Sequence, residues 1–299
     1  MRRIVDAHHH LWDLDACHYP WLMARGVRRF FGDPTPIQKN YLVSDLRDDA
    51  NDYILDASVH IQVGVAEGDE LDETAWLENT ADVDGLPSAI VAYCDLASPE
   101  AARVLESQLG YARVRGVRQI VGRSAEEDAA SGTNALLDDP EWRYNLEMLG
   151  ELGLSFDLQL TPQQVPRVAE ILSGLPDLDV ALCHCGSPWD QTPGGLAAWR
   201  NGLALLAALP SVYCKISGLG MFDHDWTTDS IRPIVESCVE TFGARRCMFG
   251  SNFPVDKLHA SYRKIWTAYE EIVSSLDGNE QASLFGETAR LFYRIDSTS

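Results

Sequence analysis

Short apolar runs alternate with longer amphipathic segments along the whole chain. The runs are rich in Val, Ile and Leu, and the segments between them repeat their apolar residues at helical spacing. We predict strands at 4–8, 58–65, 88–95, 116–121, 154–160, 178–184, 211–217 and 247–252. Predicted helices include 99–112, 162–173, 195–208, 231–242, 262–275 and 279–293. The alternation indicates repeated βα units around a parallel sheet.

Eight such units would close a (β/α)8 TIM barrel of the α/β class, although a doubly wound open sheet shows the same alternation. Polar residues at the strand ends favour the barrel. No linker rich in Pro, Gly or Ser divides the chain, so residues 1–299 are predicted to form a single domain. The stretch 12–46 has several aromatic residues and little periodicity, which predicts a long loop after the first strand.

Charge and composition exclude several classes of function. The 299 residues carry a formal net charge of -21 and no run of Lys or Arg, so nucleic acid is not an expected partner. An anionic substrate would need local Arg or Lys at its site. We expect neither a secretory signal nor a membrane span, because no apolar run is long enough. The seven scattered cysteines suit buried thiols in the reducing cytoplasm.

The first predicted strand ends in Asp6-Ala7-His8-His9-His10. Side chains two residues apart on a strand share a face, so His8 and His10 should converge while His9 should not. Two imidazoles at this spacing can share one divalent ion if a third ligand comes from elsewhere. Taken alone, the segment favours a histidine cluster without a metal.

The sixth predicted strand ends in Cys183-His184-Cys185. If His184 faces the barrel interior, alternation turns both thiols toward the helix layer, where small apolar side chains pack well. A metal cluster built from all three residues would therefore have poor geometry. His184 is either a functional group at the strand end or a packed core histidine.

Five motifs in register carry a resemblance to a known family. They are DAHHHLWD at 6–13, RGVR at 115–118, HCGSP at 184–188, KISGL at 215–219 and FGSNFP at 249–254. Together they cover nearly the whole chain in order, and the chain resembles the amidohydrolase-2 family. Within it, the motifs are most similar to the lactonase branch that includes L-fuconolactonase, 2-pyrone-4,6-dicarboxylate lactonase and 4-sulfomuconolactone hydrolase.

The resemblance implies a barrel with its site at the C-terminal ends of the strands and with His8, His10 and His184 as ligands of one divalent metal, zinc or manganese. The family ends its eighth strand in an aspartate that is ligand and general base, whereas this chain has Asn252. A neutral amide cannot take a proton from water, but it can orient one. The change weakens a metal site without excluding it, so a metal-free mechanism stays open.

A second departure affects the groups around this site. The family pattern has an aspartate where this chain has Cys183, which leaves Asp6 as the carboxylate able to support the first strand. Asp256, Lys257 and His259 follow the eighth strand. They form either a solvated helix start, which we favour, or a source of the missing acid or base.

Candidate substrate contacts lie at lumen-facing positions near the strand ends. Arg118 stands where relatives in this branch place a clamp for a substrate carboxylate, and Arg123 is a second possibility nearby. A charge inside a barrel must be paired, so Arg118 and Lys215 either contact substrate or belong to a structural ion network with Asp157. The other candidates are His60 and Gln62 on one face of the second strand, and Trp12 as a pocket wall.

Together with these residues, the resemblance implies a hydrolase in which water attacks the carbonyl of a small lactone of the sugar-acid, muconate or pyrone type. His184 is the preferred proton acceptor if no metal is present, because an imidazole can titrate near neutral pH. Arg118 and Lys215 would hold the substrate and stabilise the oxyanion, with Asn252 as a positioning group. The alternatives are a lactone isomerase, a decarboxylase, or a ligand-binding barrel without catalysis. A homo-oligomeric assembly is also open.

Overall fold

The computed structural model describes residues 1–296 and contains eight parallel strands that pair in sequence order. They are β1 (Arg3–His9), β2 (Ile54–Ile61), β3 (Ala89–Ala92), β4 (Val114–Val117), β5 (Ser155–Leu158), β6 (Val180–Leu182), β7 (Val212–Ile216) and β8 (Cys247–Phe249). Each predicted strand overlaps one of these. The strands form a nearly closed ring with helices between them, and the predicted (β/α)8 barrel is confirmed.

Helices follow every strand and form the outer layer. They are α1 (Pro20–Met23), α2 (Val43–Asp49), α3 (Glu70–Asp84), α4 (Ala101–Gln108), α5 (Ala125–Ser131), α6 (Pro140–Glu151), α7 (Val165–Ser173), α8 (Pro193–Ala207), α9 (Thr228–Phe242), α10 (Tyr262–Ile272), α11 (Gly278–Ala282) and α12 (Thr288–Phe292). The segment between α11 and α12, Ser283–Glu287, is a π-helical turn. It interrupts the helix predicted at 279–293.

Two strands that lead into the candidate site, β6 and β8, are shorter than predicted at their carboxyl ends. β6 stops at Leu182, and His184 and Cys185 take left-handed backbone conformations with φ of 53° and 56°. β8 stops at Phe249, and Asn252 is also left-handed with a φ of 55°. Left-handed residues cannot continue a strand. His184 and Asn252 therefore lie in the turns that follow the strands, and their side-chain directions do not obey strand alternation.

The ring closes where the segment after β8 meets the end of β1. The backbone N–H of Asn252 donates to the carbonyl of His8, and the N–H of His10 donates to the carbonyl of Phe253, both at 2.7 Å. Gly250 makes this approach possible, because a Cβ there would lie 2.7 Å from the Cβ and 2.8 Å from the backbone nitrogen of His8. The histidines of β1 and Asn252 are thus joined through the backbone.

Small and branched side chains fill the barrel below this level. Ala7, Val59, Val91 and Met248 belong to one buried cluster that also contains Phe292 and Tyr293 of the last helical segment. The C-terminal residues therefore close the end of the barrel opposite the candidate site. A separate, larger apolar cluster packs the strands against the helices.

The loop after β1 contains only short elements, as predicted. An antiparallel bridge between Trp12 and Tyr41 closes it at the base, so that the residues between them project over the barrel mouth. All seven cysteines are buried with free thiols, in agreement with a packing role. No helix in residues 1–296 is long and apolar enough to cross a membrane.

Replacing Gly250 with alanine should destabilise the barrel by about 1–3 kcal/mol, because the new methyl group displaces the backbone of His8. Urea unfolding of G250A and of a control, G194A, measures the difference. A Cβ at Gly194 meets no atom within 4 Å, so this variant should change the free energy of unfolding by less than about 0.5 kcal/mol. Equal stabilities for the two variants would show that the close approach is unimportant.

Candidate active site

A cavity of about 600 Å³ opens at the carboxyl ends of the strands. Its floor contains His10, Arg118, His184 and Asn252, and Gln62 lies on its wall. The predicted site residues that reach this cavity are therefore those at or just after the ends of β1, β2, β4, β6 and β8. Side chains predicted for the same site that do not line the cavity are His8, His60 and Lys215.

Three imidazoles gather beneath the cavity. The ring centroid of His8 lies 5.2 Å from that of His10 and 4.5 Å from that of His184, and all three side chains are buried. His9 points elsewhere and packs edge-on against His60 at 6.1 Å. The convergence of His8 and His10, and the exclusion of His9, match the strand alternation expected for β1.

Burial keeps the three rings neutral. It lowers the pKa of His10 to about 3, and burial together with neighbouring cationic groups holds the pKa of His8 and of His184 well below the usual value. A neutral imidazole keeps one lone pair for a proton or a metal. The expectation that His184 titrates near neutral pH does not match this setting. Its ring is available as an acceptor, but burial and the charge of Arg118 make it a weak base.

Two acceptor atoms face each other at His10 and Asn252. The Nδ1 atom of His10 lies 2.7 Å from the carbonyl oxygen of Ile61, which can only accept, so Nδ1 carries the proton. The Nε2 lone pair then points toward the Oδ1 atom of Asn252 at 3.3 Å. Two lone pairs at this distance need a cation or a proton between them.

His8 and His184 complete the polar floor. Both ring nitrogens of His8 are buried without a hydrogen-bond partner in residues 1–296. The Nδ1 atom of His184 contacts the hydroxyl of Ser217 at 3.0 Å, which leaves Nε2 for the cavity. Unpartnered nitrogens on neutral imidazoles are a donor type that zinc accepts, so His8, His10 and His184 fit a divalent ion in donor type, with Asn252 as an oxygen donor. The ring nitrogens of the three histidines do not all lie within 4.8 Å of one another, so their spacing is wider than that of a formed metal site.

The most compact set of potential ligands lies deeper in the barrel. One donor atom each from His8, Asp157 and Cys183 lie within 4.8 Å of one another, and no other such set occurs in the described residues. Asp157 already accepts from the ammonium of Lys215 at 2.5 Å and from the hydroxyl of Tyr293 at 2.8 Å. Burial raises the pKa of the Cys183 thiol to about 12. A neutralised carboxylate and a protonated thiol make this set a poor metal site.

Cys183 corrects one prediction. Strand alternation places its thiol in the helix layer, but the Sγ atom lies 3.9 Å from Oδ2 of Asp157 inside the barrel. The reason is that β6 ends at Leu182, so alternation does not extend to this residue. The thiol of Cys185 does face outward, where it meets the thiols of Cys214 and Cys238.

Lys215 and His60 correct two further predictions. Lys215 is fully buried, and its ammonium pairs with Asp157 and lies 4.9 Å from the ring centre of Tyr293, so it belongs to the structural ion network. The Nδ1 atom of His60 accepts the backbone N–H of Leu11, which holds the ring beneath the loop after β1. Neither side chain is placed to touch a ligand in the cavity.

Arg118 keeps unused hydrogen-bonding capacity at the cavity. Its guanidinium donates to the carbonyl of Gln62 at 2.5 Å and reaches Oε1 of Gln159 at 3.5 Å, while its Nε has no partner. Within residues 1–296 no carboxylate forms an ion pair with Arg118 or with Arg123, which also lines the cavity. Burial lowers the pKa of both guanidiniums, which remain charged at neutral pH.

An aromatic wall covers the cavity on the side of the long loop. Trp12 meets Trp21 edge to face at 6.0 Å, and Trp21 meets Phe31 in the same way. Arg29 and the backbone N–H of Phe30 both bind the carboxylate of Glu127, which ties the loop to α5. Sequence reasoning did not find Arg29, because its place over the cavity depends on a contact 98 residues away.

Asp256 corrects the preferred interpretation of the segment after β8. It is 2% exposed rather than solvated, its Oδ1 accepts from Nδ2 of Asn252 at 3.0 Å, and burial raises its pKa to about 7. Its neighbours point outward: Lys257 pairs with Asp49, and His259 contacts the carbonyl of Phe31. The spacing of Asn252 and Asp256 by one helical turn was the available sequence signal.

A barrel that gathers histidines and an amide at the carboxyl ends of β1, β6 and β8 has the layout of a barrel enzyme. A sequence profile described as Amidohydrolase matches residues 5–295. The chain belongs to the amidohydrolase family, a family of hydrolases.

Relatives of this chain match it over nearly its full length. It is 40% identical to the uncharacterized protein y4mH of Sinorhizobium fredii, over 98% of both chains. It is 29% identical to an L-fucono-1,5-lactonase of Burkholderia multivorans, over 97% of this chain and 96% of the relative. The crystal structure of an amidohydrolase from Burkholderia multivorans with bound zinc has a TM-score of 0.83 at 28% identity, covering 98% of this chain and 99% of that chain.

Glu73 lies behind His60 and should make stability depend on pH. It is 1% exposed, and burial raises its pKa from 4.5 to about 7. The folded protein thus holds this proton more tightly than the unfolded chain. Its contribution to the free energy of unfolding falls as pH rises from about 4.5 to about 7, by at most about 3 kcal/mol.

The variant E73Q cannot ionise at this position. Its free energy of unfolding should therefore decline less between pH 4.5 and 7 than that of the native protein. Urea unfolding at several pH values measures both slopes. The control E67Q changes an exposed carboxylate and should follow the native protein. A slope for E73Q equal to that of the native protein would contradict the assignment.

Proposed function

We propose that this protein hydrolyses a small lactone that carries an acidic group. The observation that carries the proposal is the cavity itself, where His10, His184 and Asn252 face two guanidiniums without a carboxylate partner in the described residues. An uncompensated buried guanidinium is costly unless a ligand supplies the anion. The relatives named L-fucono-1,5-lactonase support the cyclic ester as the reacting group.

Arg118 would hold the substrate by its carboxylate. A guanidinium binds a carboxylate through two parallel hydrogen bonds, which sets orientation as well as affinity. Among the neighbouring positive charges, that of Arg118 lowers the pKa of His184 the most. The acidic group of the substrate would offset this charge. Substrate binding would in this way make His184 a stronger base at the moment when it is needed.

The wall of Trp12, Trp21 and Phe30 suits a flat ring bound edge-on beneath it. The cavity volume of about 600 Å³ leaves room for a ligand of one ring with one or two substituents. Sugar-acid lactones and unsaturated lactones of the muconate or pyrone type both meet these limits. The rim also carries carboxylates, of which Glu70 is one, and these would accept from ring hydroxyl groups.

His8, His10 and His184 would hold a zinc or manganese ion, with Asn252 supplying an oxygen. A divalent ion bound there would supply Lewis acidity to the lactone carbonyl or to the attacking water. The bound zinc of the Burkholderia multivorans amidohydrolase supports this assignment. Manganese is the second candidate, because neutral imidazole and amide oxygen donors suit it too.

In the absence of a metal, His184 would accept the proton of the attacking water at Nε2, while Ser217 holds the other nitrogen and so fixes the ring. A metal bound to Nε2 would occupy that lone pair, and His184 would then be a ligand instead of a base. A new C–O bond forms at the carbonyl carbon, and the ester C–O bond of the ring then breaks. The proton returns from His184 to the leaving alkoxide. The product is an open hydroxy acid that has gained one water. Asn252 would orient the water, since an amide cannot deprotonate it.

The test combines metal analysis with a panel of sugar-acid, muconate-type and pyrone-type lactones, before and after chelation. Mass spectrometry should show the gain of one water, and turnover should fall after chelation and return with zinc or manganese. Release of carbon dioxide or unchanged mass would replace the proposal with a decarboxylase or an isomerase. Binding without turnover of any lactone would indicate a ligand-binding barrel.

The variant H184Q should lose at least about 100-fold in kcat, because it removes the proton acceptor while conserving the size of the side chain. Stopped-flow or steady-state kinetics on the best lactone of the panel measures the loss. H18Q, which changes an exposed histidine, is the matched control and should retain native kcat. A native kcat in H184Q would contradict the proposed proton transfer.

The variant R118Q should raise KM for an acidic lactone about 10–100-fold, because it removes a charge-assisted hydrogen bond. The KM for a neutral analogue without the carboxylate should change much less. R103Q, which changes a guanidinium that is 65% exposed on α4, should leave both values unaltered. If R118Q weakened both substrates equally, Arg118 would be a packing residue instead of a carboxylate clamp.

A further inference from the structure

The amide of Asn252 is held between two buried groups. Its Nδ2 donates to Oδ1 of Asp256 at 3.0 Å, and its Oδ1 lies 3.3 Å from Nε2 of His10. Asn252 and Asp256 are each 2% exposed, so solvent does not compete for these contacts. The amide nitrogen of Asn252 therefore faces a carboxylate, and the amide oxygen faces an imidazole.

The carboxylate of Asp256 determines which amide atom of Asn252, Oδ1 or Nδ2, faces His10. An ionised carboxylate can only accept hydrogen bonds, so it selects the nitrogen of Asn252 and turns the oxygen toward His10. Without that carboxylate the reversed amide would be favoured, because its nitrogen would donate to the free lone pair of His10 Nε2. The reversed amide would satisfy His10 and would present no oxygen to the cavity.

Asp256 is itself fixed from two sides. It lies at the start of the short 3-10 helix Asp256–Leu258, and its backbone N–H donates to the carbonyl of Asn252 at 3.1 Å. Gly220, in the loop after β7, lies against its carboxylate. A Cβ at Gly220 would lie 3.5 Å from Cγ of Asp256, so this loop packs closely on the carboxylate.

We propose that Asp256 is a positioning residue that locks the Asn252 amide with its oxygen toward His10 and the cavity. A single carboxylate directly after β8 would supply both an oxygen directed at the histidines and a carboxylate group. In this chain Asn252 supplies the oxygen, and Asp256 supplies the carboxylate beside it. This inference uses the metal site of the proposed function, but the amide orientation can be measured without lactone or metal.

The main test is zinc affinity of the protein without substrate, measured by competition with a chromophoric chelator at pH 8.5. Replacing the carboxylate in D256N should weaken zinc binding about 10–100-fold, the usual cost of losing a group that orients a ligand. The double variant N252D/D256N exchanges the two side chains. Its carboxylate would accept from the new amide and keep an oxygen toward His10, so zinc affinity should return to within about threefold of native.

The control D225N changes an exposed carboxylate in the loop after β7 and should bind zinc as the native protein does. Thermal unfolding of the metal-free variants should show that D256N and the double variant remain folded. Native affinity in D256N would overturn the proposal. Equally weak binding in D256N and in the exchanged pair would do the same, because it would show a structural role alone.

A second measurement needs neither metal nor turnover. The side-chain NH2 resonances of Asn252 in 15N-labelled, metal-free protein can be assigned by their absence in N252D. A hydrogen bond to a buried carboxylate should slow their exchange with solvent, and D256N should shift both resonances and speed the exchange. Unchanged resonances in D256N would overturn the proposed lock even if the native protein bound no zinc. A failure of lactone hydrolysis would leave both measurements interpretable.

Discussion

The candidate site depends on the carboxylate of Asp6, which joins the first strand to the segment after the last. It accepts from the backbone N–H of Ser251 at 2.8 Å, from that of His8 at 3.2 Å and from the hydroxyl of Tyr262 at 3.1 Å. The hydroxyl of Ser251 makes a fourth contact. These bonds hold a fully buried carboxyl group whose pKa burial raises to about 6. They add side-chain contacts to the backbone hydrogen bonds that join His8 and Asn252 at the ring closure.

Within the described residues, the cavity contains unpaired positive side chains, whereas the chain as a whole is strongly negative. A formal net charge of -21 repels anions at long range, yet Arg118 and Arg123 reach the cavity without a carboxylate partner in the described residues. Short-range desolvated contacts dominate inside a closed site, so the local guanidiniums decide what binds there. Burial meanwhile keeps the imidazole floor neutral. The proposed site thus combines neutral imidazoles with guanidiniums that can bind an anion.

Two departures from the family pattern act together on this floor. Asn252 replaces an aspartate, and its oxygen faces His10 while its nitrogen faces the buried Asp256. Cys183 replaces another aspartate and lies beside Asp157, whose charge is balanced by Lys215. In both places a carboxylate is present one side chain away from where the family has it.

Hydrophobic periodicity by itself determined the eight strands, the barrel and the convergence of His8 and His10, because alternation is reliable inside a regular strand. The motif order identified the family. Only the tertiary structure decided the directions of Cys183 and Asn252, since both follow strand ends where the backbone leaves the extended region. It also decided that Lys215 pairs with Asp157 and that Asp256 is buried, because both depend on contacts between elements that are not adjacent in sequence. Local pattern determines which segments form the barrel, whereas packing between distant segments determines which side chains reach the cavity.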